Sequence, residues 1–332
     1  MRATVIGSGS FGTALANVLA ANCTEVRLWA REPGLAEAIN PTHENPTYMP
    51  GIPLAHNMRA TASMEEALQG AELVVAATPS HAMRAVMGSA APFLPRSVPI
   101  ITVAKGIEND TLLTMTEVLE DCLPEVFHPY LAVLSGPSFA KELVQRLPTV
   151  VTIASHWDRV AQRCQKAFRT DYFRSYTSND VVGVQYGGSL KNVIAIAAGI
   201  SDGMGLGTNA RSALITRGLA EIARIAVSRG ANPLTLSGLS GMGDLVLTCT
   251  GDLSRNRTVG MALGKGRSLD EVLGDMHQVA EGVKTARSAR DLSLRTGVEL
   301  PICNQVYAIA YEGKSPRAAV VELMTRQLKS EL

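Results

Sequence analysis

Apolar residues recur along this chain in two rhythms, and the change between them divides it near its middle. Ala3 to Ile6 is a short β-prone run, and behind it Phe11, Leu15, Val18 and Leu19 share one face of a predicted helix. Glu25-Val26-Arg27-Leu28-Trp29-Ala30 alternates at period two, as a half-covered strand does. Leu73–Ala77, Ile100–Ala104 and Tyr130–Leu134 are continuous apolar runs and read as buried parallel strands. Helical patterns lie among them at about 63–69, 80–90 and 110–121, and Thr149–Ala154 and Tyr172–Tyr176 extend the series. Alternating strands and helices predict a parallel sheet covered on both faces. Beyond about residue 180 the rhythm is helical, in segments near 180–200, 208–229, 281–295, 301–311 and 316–328. The fold class is therefore α/β, with a parallel-sheet domain over 1–180 followed by an all-α domain over 181–332.

Three glycines stand between the first strand and its helix, in Gly7-Ser8-Gly9-Ser10-Phe11-Gly12. In a dinucleotide-binding βαβ unit the first glycine permits the tight turn and the second lets backbone approach a pyrophosphate. The third lets helix and strand pack closely, and the unpaired amides of the first helical turn face the anion. Strand, glycine turn and striped helix in that order make the N-terminal half Rossmann-type. The residue after the second strand should meet the adenosine ribose, where arginine accommodates a 2′-phosphate and a carboxylate accepts from a 2′-hydroxyl. Arg31 stands there with Glu32 beside it, so NADP is the expected cofactor and NAD the alternative. Ligands of open parallel sheets bind beyond the strand C-termini. Thr78-Pro79-Ser80, Lys105 and Gly136-Pro137-Ser138 all fall at such ends, so they should line one crevice closed by the helical domain.

Composition narrows the classes. With 332 residues, 46% hydrophobic and 18% charged, the chain reads as an ordinary globular protein of two domains. A net charge of +1 without a basic block gives no reason to expect nucleic acid or an anionic membrane surface. No run reaches the length of a membrane span, and the first strand starts too early to leave room for a targeting peptide, so a cytoplasmic protein is expected. Cys23, Cys122, Cys164, Cys249 and Cys303 are odd in number and scattered, which suits reduced thiols. The histidines show no metal-ligand spacing, and no metal is expected. A homodimer is left open as the one macromolecular assembly.

Two constellations carry candidate chemistry. Lys191 shares a helical stripe with Val184, Gly187, Ile194, Ala195 and Ala198, with no acid three or four residues away. A lysine so placed is buried or half-buried, and burial lowers its pKa towards a range useful for handing a proton to a carbonyl oxygen. Asp244 follows Ser240-Gly241-Met242-Gly243 and precedes an apolar run. It is either a helix N-cap or a carboxylate that binds substrate hydroxyls or orients Lys191. Ser254 is a good N-cap, which puts Arg255 and Asn256 in a first helical turn; amides plus a guanidinium fork make a phosphate site, unless the segment is only a solvated helix start.

These residues belong to a longer pattern. Gly7 to Ala16, Val103-Ala104-Lys105-Gly106-Ile107-Glu108 and Ser135-Gly136-Pro137-Ser138-Phe139-Ala140 resemble bacterial glycerol-3-phosphate dehydrogenase. So do Leu190-Lys191-Asn192-Val193, Ala213 to Gly218, Gly243-Asp244-Leu245, Ser254-Arg255-Asn256-Arg257 and Val279-Ala280-Glu281-Gly282, in order from residue 3 to about 320. The resemblance implies reduction of dihydroxyacetone phosphate to sn-glycerol 3-phosphate with NAD(P)H, for glycerophospholipid synthesis. It implies Lys191 as proton donor, with Lys105, Gly136, Ser138, Asp244, Ser254, Arg255 and Asn256 around the substrate and Asn192 and Thr248 as neighbours. It also implies cofactor contacts at Ser10, Phe11, Arg31, Lys105, Ala140, Arg255, Val279 and Glu281, beside Gly7, Gly9 and Gly12. Two positions depart from the pattern: Thr208, where an acid or amide is frequent, and Gln145-Arg146, where a glycine is frequent. Two other readings compete. A two-domain dehydrogenase for a ketopantoate-like acid would also use a lysine on the interdomain helix. A non-catalytic dinucleotide sensor would lack the Lys191 and Asp244 pair.

Overall fold

The strand that precedes the glycine turn, β1 (Arg2–Ile6), lies inside the sheet in the computed structural model, which describes residues 1–276, 280–328 and 330. In chain order follow β2 (Glu25–Trp29), β3 (Glu44–Asn45), β4 (Met49–Pro53), β5 (Met58–Thr61), β6 (Leu73–Ala76) and β7 (Ile100–Thr102). Next come β8 (Leu131–Ser135), β9 (Thr149–Ala154) and β10 (Phe173–Ser178). β3 and β4 pair as a separate hairpin, and the other eight form one sheet ordered β10-β9-β8-β7-β6-β1-β2-β5. Val5 lies opposite Leu28 on one side and Val75 on the other, all three buried, as continuous apolar runs require when both faces are covered. Leu15, Leu19 and Phe168 pack on one face; Met83, Met87 and Leu119 pack on the other.

The parallel order expected throughout stops at β8. β9 runs antiparallel to it, with Ser135 opposite Thr152 and Val133 opposite Ala154, and β10 runs parallel to β9. The chain therefore leaves the sheet at the end away from the strand C-termini. A single strand's pattern carries no direction, because alternation looks the same read either way.

β5 and the hairpin carried no clear signal either. Met58-Arg59-Ala60-Thr61 is too short and too polar to separate from a loop, although it pairs in parallel with β2 as the sheet's edge. The helix expected over 110–121 begins only at Met115. Asp110 and Leu112 hold φ of 70° and 62°, and Thr114 with Glu117 forms a capping box that starts the helix after them. Arg146 has φ 57°, the left-handed conformation a glycine adopts readily, so the departure from the family pattern at that position is accommodated without a change of turn.

In the second half the helices fall close to their expected places: Val181–Gly203, Gly207–Ser228, Glu281–Thr296, Pro301–Tyr311 and Pro316–Met324. The first of these is buried nearly all round instead of along one stripe, so it is the axis on which the others pack. Helix Arg255–Gly264 crosses it almost backbone to backbone. A Cβ on Gly199 would stand 2.1 Å from the Arg257 carbonyl oxygen, and one on Gly260 would stand 2.1 Å from that of Ile196. Only glycine fits at that crossing, and it fixes where helix Arg255–Gly264 starts relative to Lys191.

Glu221 closes the far side of this bundle. Its carboxylate, 2% exposed, accepts from the backbone N–H groups of Ile302 at 2.7 Å and Cys303 at 3.2 Å, capping helix Pro301–Tyr311. Burial pushes the Glu221 carboxyl up from 4.5 to about 7, although both amides favour its charged form. A group with a raised folded pKa binds more protons folded than unfolded, so its contribution to stability falls as pH rises from 4.5 to about 7. Glu221→Gln should flatten the decline in Tm between about pH 5 and 7. Scanning calorimetry across that range checks it, and parallel slopes for the two proteins would assign the pH dependence elsewhere.

Candidate active site

Asp244 sits in the first turn of helix Asp244–Thr250, which continues from a π-helical turn, Leu239–Gly243. Gly243 is helical too, so Asp244 is not an N-cap, and its carboxylate is free to act through space. It is 1% exposed. One oxygen, Oδ1, accepts from Lys191 Nζ at 2.6 Å; the other, Oδ2, accepts from Lys105 Nζ at 2.7 Å. Lys105 follows β7 in the sheet half, whereas Lys191 is midway along helix Val181–Gly203. One buried carboxylate thus ties both halves of the chain together.

Each ammonium group has a second partner besides Asp244. Lys191 Nζ also donates to Thr248 Oγ1 at 2.6 Å, and Thr248 Oγ1 donates to the Asp244 carbonyl oxygen one helical turn back. Lys105 Nζ also donates to the Gly136 carbonyl oxygen at 2.9 Å, which Ser138 Oγ shares. Burial pulls the Lys191 ammonium down from 10.5 to about 8, with the Asp244 carboxylate opposing the change and Lys105 adding to it. For Asp244, burial alone would raise the carboxyl, and the two ammonium groups together hold it below 3.8. Two cations around one anion leave this buried cluster with a charge of +1 facing the crevice.

A second chain of contacts leads from this cluster to the helix start at Ser254. Asn192 Nδ2 donates to the Lys105 carbonyl oxygen, Asn256 Nδ2 donates to Asn192 Oδ1 at 3.0 Å, and Gly282 N–H donates to Asn256 Oδ1 at 2.9 Å. Ser254 caps the helix as expected, accepting from the Arg257 N–H. Arg255 is exposed and forms no hydrogen bond or ion pair among the described residues, while the Glu281 carboxylate acts on it electrostatically. Glu281 accepts from the Ser80 N–H at 3.1 Å and from Ser80 Oγ, a second tie between the halves. The strand ends expected to share one crevice do so.

The glycine turn opens on the same side. A Cβ on Gly12 would stand 2.0 Å from the Gly7 carbonyl oxygen, so helix Ser10–Leu19 packs as closely as the motif requires. A Cβ on Gly9 would meet nothing within 4 Å, and no side chain caps the helix. Open space in front of the helix's first turn fits a pyrophosphate. Phe11 links turn and cluster, its ring centroid lying 5.9 Å from Lys105 Nζ, and Ala140 packs on the same core as Phe11. Arg31 stands apart from the cluster: its side chain is 80% exposed and pairs with Glu32 at 2.5 Å. Val279 lies outside the described residues. Asn45, which holds the underside of the glycine turn, had no sequence signal; an asparagine in a loop 33 positions after Gly12 looks like any other turn residue.

Residues 2–161 match the family described as NAD-dependent glycerol-3-phosphate dehydrogenase N-terminus, and residues 180–321 match its C-terminus. A glycerol-3-phosphate dehydrogenase (NAD(P)+) of Myxococcus xanthus is 75% identical over 332 residues, covering 100% of this chain and 99% of that protein. One from Anaeromyxobacter dehalogenans is 58% identical over 100% of both. The crystal structure of glycerol-3-phosphate dehydrogenase from Coxiella burnetii superposes with a TM-score of 0.92 at 37% identity, covering 98% of this chain and 99% of that one.

Removing the central charge tests the electrostatics directly. Asp244→Asn should lower the Lys191 pKa below about 8, because the carboxylate is the main influence that raises it. Leaving two ammonium groups without their counter-ion should also cost about 3–5 kcal/mol of stability. NMR titration of isotope-labelled lysines and calorimetry read the two effects, and an unmoved Lys191 titration would show that Asp244 does not set it.

Proposed function

The chain belongs to the NAD-dependent glycerol-3-phosphate dehydrogenase family, and from that premise we propose how its own residues carry the reaction. The enzyme is an NAD(P)-dependent oxidoreductase that reduces dihydroxyacetone phosphate to sn-glycerol 3-phosphate. The observation carrying our assignment is the buried Lys191–Asp244–Lys105 bridge at 2.6 and 2.7 Å. Arg255 and the helix start capped by Ser254 hold the substrate phosphate, since the guanidinium forms no ion pair among the described residues and helix amides favour an anion. Asn192 and Asn256 fix the distance between that phosphate site and the lysines through their shared hydrogen bond.

When bound, the nicotinamide supplies or accepts the hydride at the substrate's C2. In the reducing direction the carbonyl π electrons move to oxygen, and Lys191 donates its proton there; in the reverse direction neutral Lys191 takes it back. Asp244 and Thr248 hold Lys191 Nζ in position, while Lys105 keeps the potential around the developing oxyanion positive. Gly7, Gly9 and Gly12 with Ser10, Phe11, Ala140 and Glu281 form the cofactor wall, and Arg31 meets a 2′-phosphate by leaving Glu32. The nucleotide-binding unit is 1–180 and the substrate unit 181–332.

No helix among the described residues is long and apolar enough to cross a membrane. A cytoplasmic enzyme suits five cysteines that are all free thiols, and the assembly we propose is a homodimer, which light scattering would read. Loss of NADPH or NADH absorbance with dihydroxyacetone phosphate, beside ketopantoate as control, tests the reading of the site as one for a phosphate and not a carboxylate.

Lys191→Ala should lower kcat by about 10²–10⁴ with cofactor affinity unchanged. In wild type the reduction rate should decline as pH rises through about 8, where the ammonium loses its proton, while the oxidation rate rises over the same interval. Steady-state rates from pH 6 to about 10 read this, and a Lys191→Ala enzyme retaining most of its kcat would transfer the role to Lys105. Arg255→Ala should raise the KM for dihydroxyacetone phosphate by about 10–100-fold, the loss of a charge-assisted contact worth ~1.5–3 kcal/mol. Unphosphorylated dihydroxyacetone should be a poor substrate for both proteins, and equal kcat/KM for the two ketones would remove the phosphate site.

A further inference from the structure

The hairpin of β3 and β4 grips the glycine turn from beneath through one side chain. Asn45 is 0% exposed, and each of its hydrogen-bonding groups is used. Its Nδ2 donates to the Ser8 carbonyl oxygen at 2.8 Å and to Thr13 Oγ1 at 2.9 Å; its Oδ1 accepts from the Tyr48 N–H at 3.1 Å. Thr13, also 0% exposed, donates its hydroxyl to the same Ser8 oxygen at 3.0 Å, closing a triangle. Ser10 Oγ donates to the Tyr48 carbonyl oxygen at 3.0 Å and fastens the outer side.

What this triangle holds is a peptide plane. The Ser8 carbonyl and the Gly9 N–H belong to one trans peptide, so they point in opposite directions. Two buried donors draw the Ser8 oxygen inward, and the Gly9 N–H is thereby turned outward, to the side where Gly9 has open space. That N–H has no partner among the described residues. We propose that Asn45 and Thr13 are positioning residues for dinucleotide binding, holding the Ser8–Gly9 peptide so that the Gly9 amide meets the pyrophosphate. The proposal rests on the reading of Gly7 to Gly12 as the cofactor cradle. Because the pyrophosphate is common to both cofactors, the two residues act equally on NADPH and NADH and have no part in reading the 2′-phosphate.

The test uses the full-length protein and fluorescence or calorimetric titration with NADPH, NADH and ADP. Asn45→Asp keeps the side-chain shape but sets a carboxylate against the Ser8 oxygen, and Thr13→Val removes the hydroxyl at constant volume. Each should weaken all three ligands by a similar factor of about 10–100. Thr13→Ser, which restores the hydroxyl, should bind within about threefold of wild type, and kcat at saturating NADPH and the KM for dihydroxyacetone phosphate should stay within about twofold throughout. Should Asn45→Asp fail to fold, the Thr13→Val and Thr13→Ser pair decides alone. Unchanged affinities, a loss confined to NADPH, or a serine variant as weak as the valine one would each overturn the proposal. Gly12→Ala separates it from its premise: if that variant binds NADPH normally, the cradle reading itself fails. If Gly12→Ala loses binding while Asn45→Asp and Thr13→Val retain it, the cradle stands and the lock does not.

Discussion

A carboxylate buried between two ammonium groups is the interaction on which this protein is organised. Removing Asp244 from water is costly by itself, and the cost is offset only because Lys105 and Lys191 arrive on separate oxygens with good geometry. The two lysines are far apart in the chain, so that pairing exists only when sheet and helices are packed together. Folding, closure of the crevice and assembly of the proposed proton donor are in this sense one event. The excess positive charge that remains is what a phosphate ester and a developing alkoxide require.

Much of this was legible in the residues, for identifiable reasons. The glycine turn reads directly because strand, spacing and helix occur within a few positions, and local order is what a sequence displays. Lys191 stood out because no local partner could account for it, and its acid does come from elsewhere, 53 positions away on another helix. Ser254 behaved as the cap its type and place suggested. The family pattern then joined these pieces over nearly the whole chain.

What stayed hidden was relational. Strand direction at β9 depends on a crossing that no single segment records, and β5 is held as an edge strand by β2 more than by its own four residues. The start of the helix at Met115 was displaced by left-handed backbone at Asp110 and Leu112, a conformation neither residue type advertises. The Asn45 lock escaped notice because its partners, Ser8 and Thr13, precede it by more than thirty positions. Side chains that orient other groups leave weaker traces than those that act, since polar residues in loops have many ordinary uses.

The reversal at β9 has a consequence for motion. Because β9 and β10 run back down the sheet, the helix that follows starts beside Val133 and Ala154 at the lower end and climbs past Ser135. At about 1.5 Å per residue it has risen ~15 Å by Lys191, which therefore falls near the helix's midpoint. Helix ends fray, and central turns exchange their amide hydrogens only when far larger units open. The proposed acid is thus mounted where the backbone breathes least.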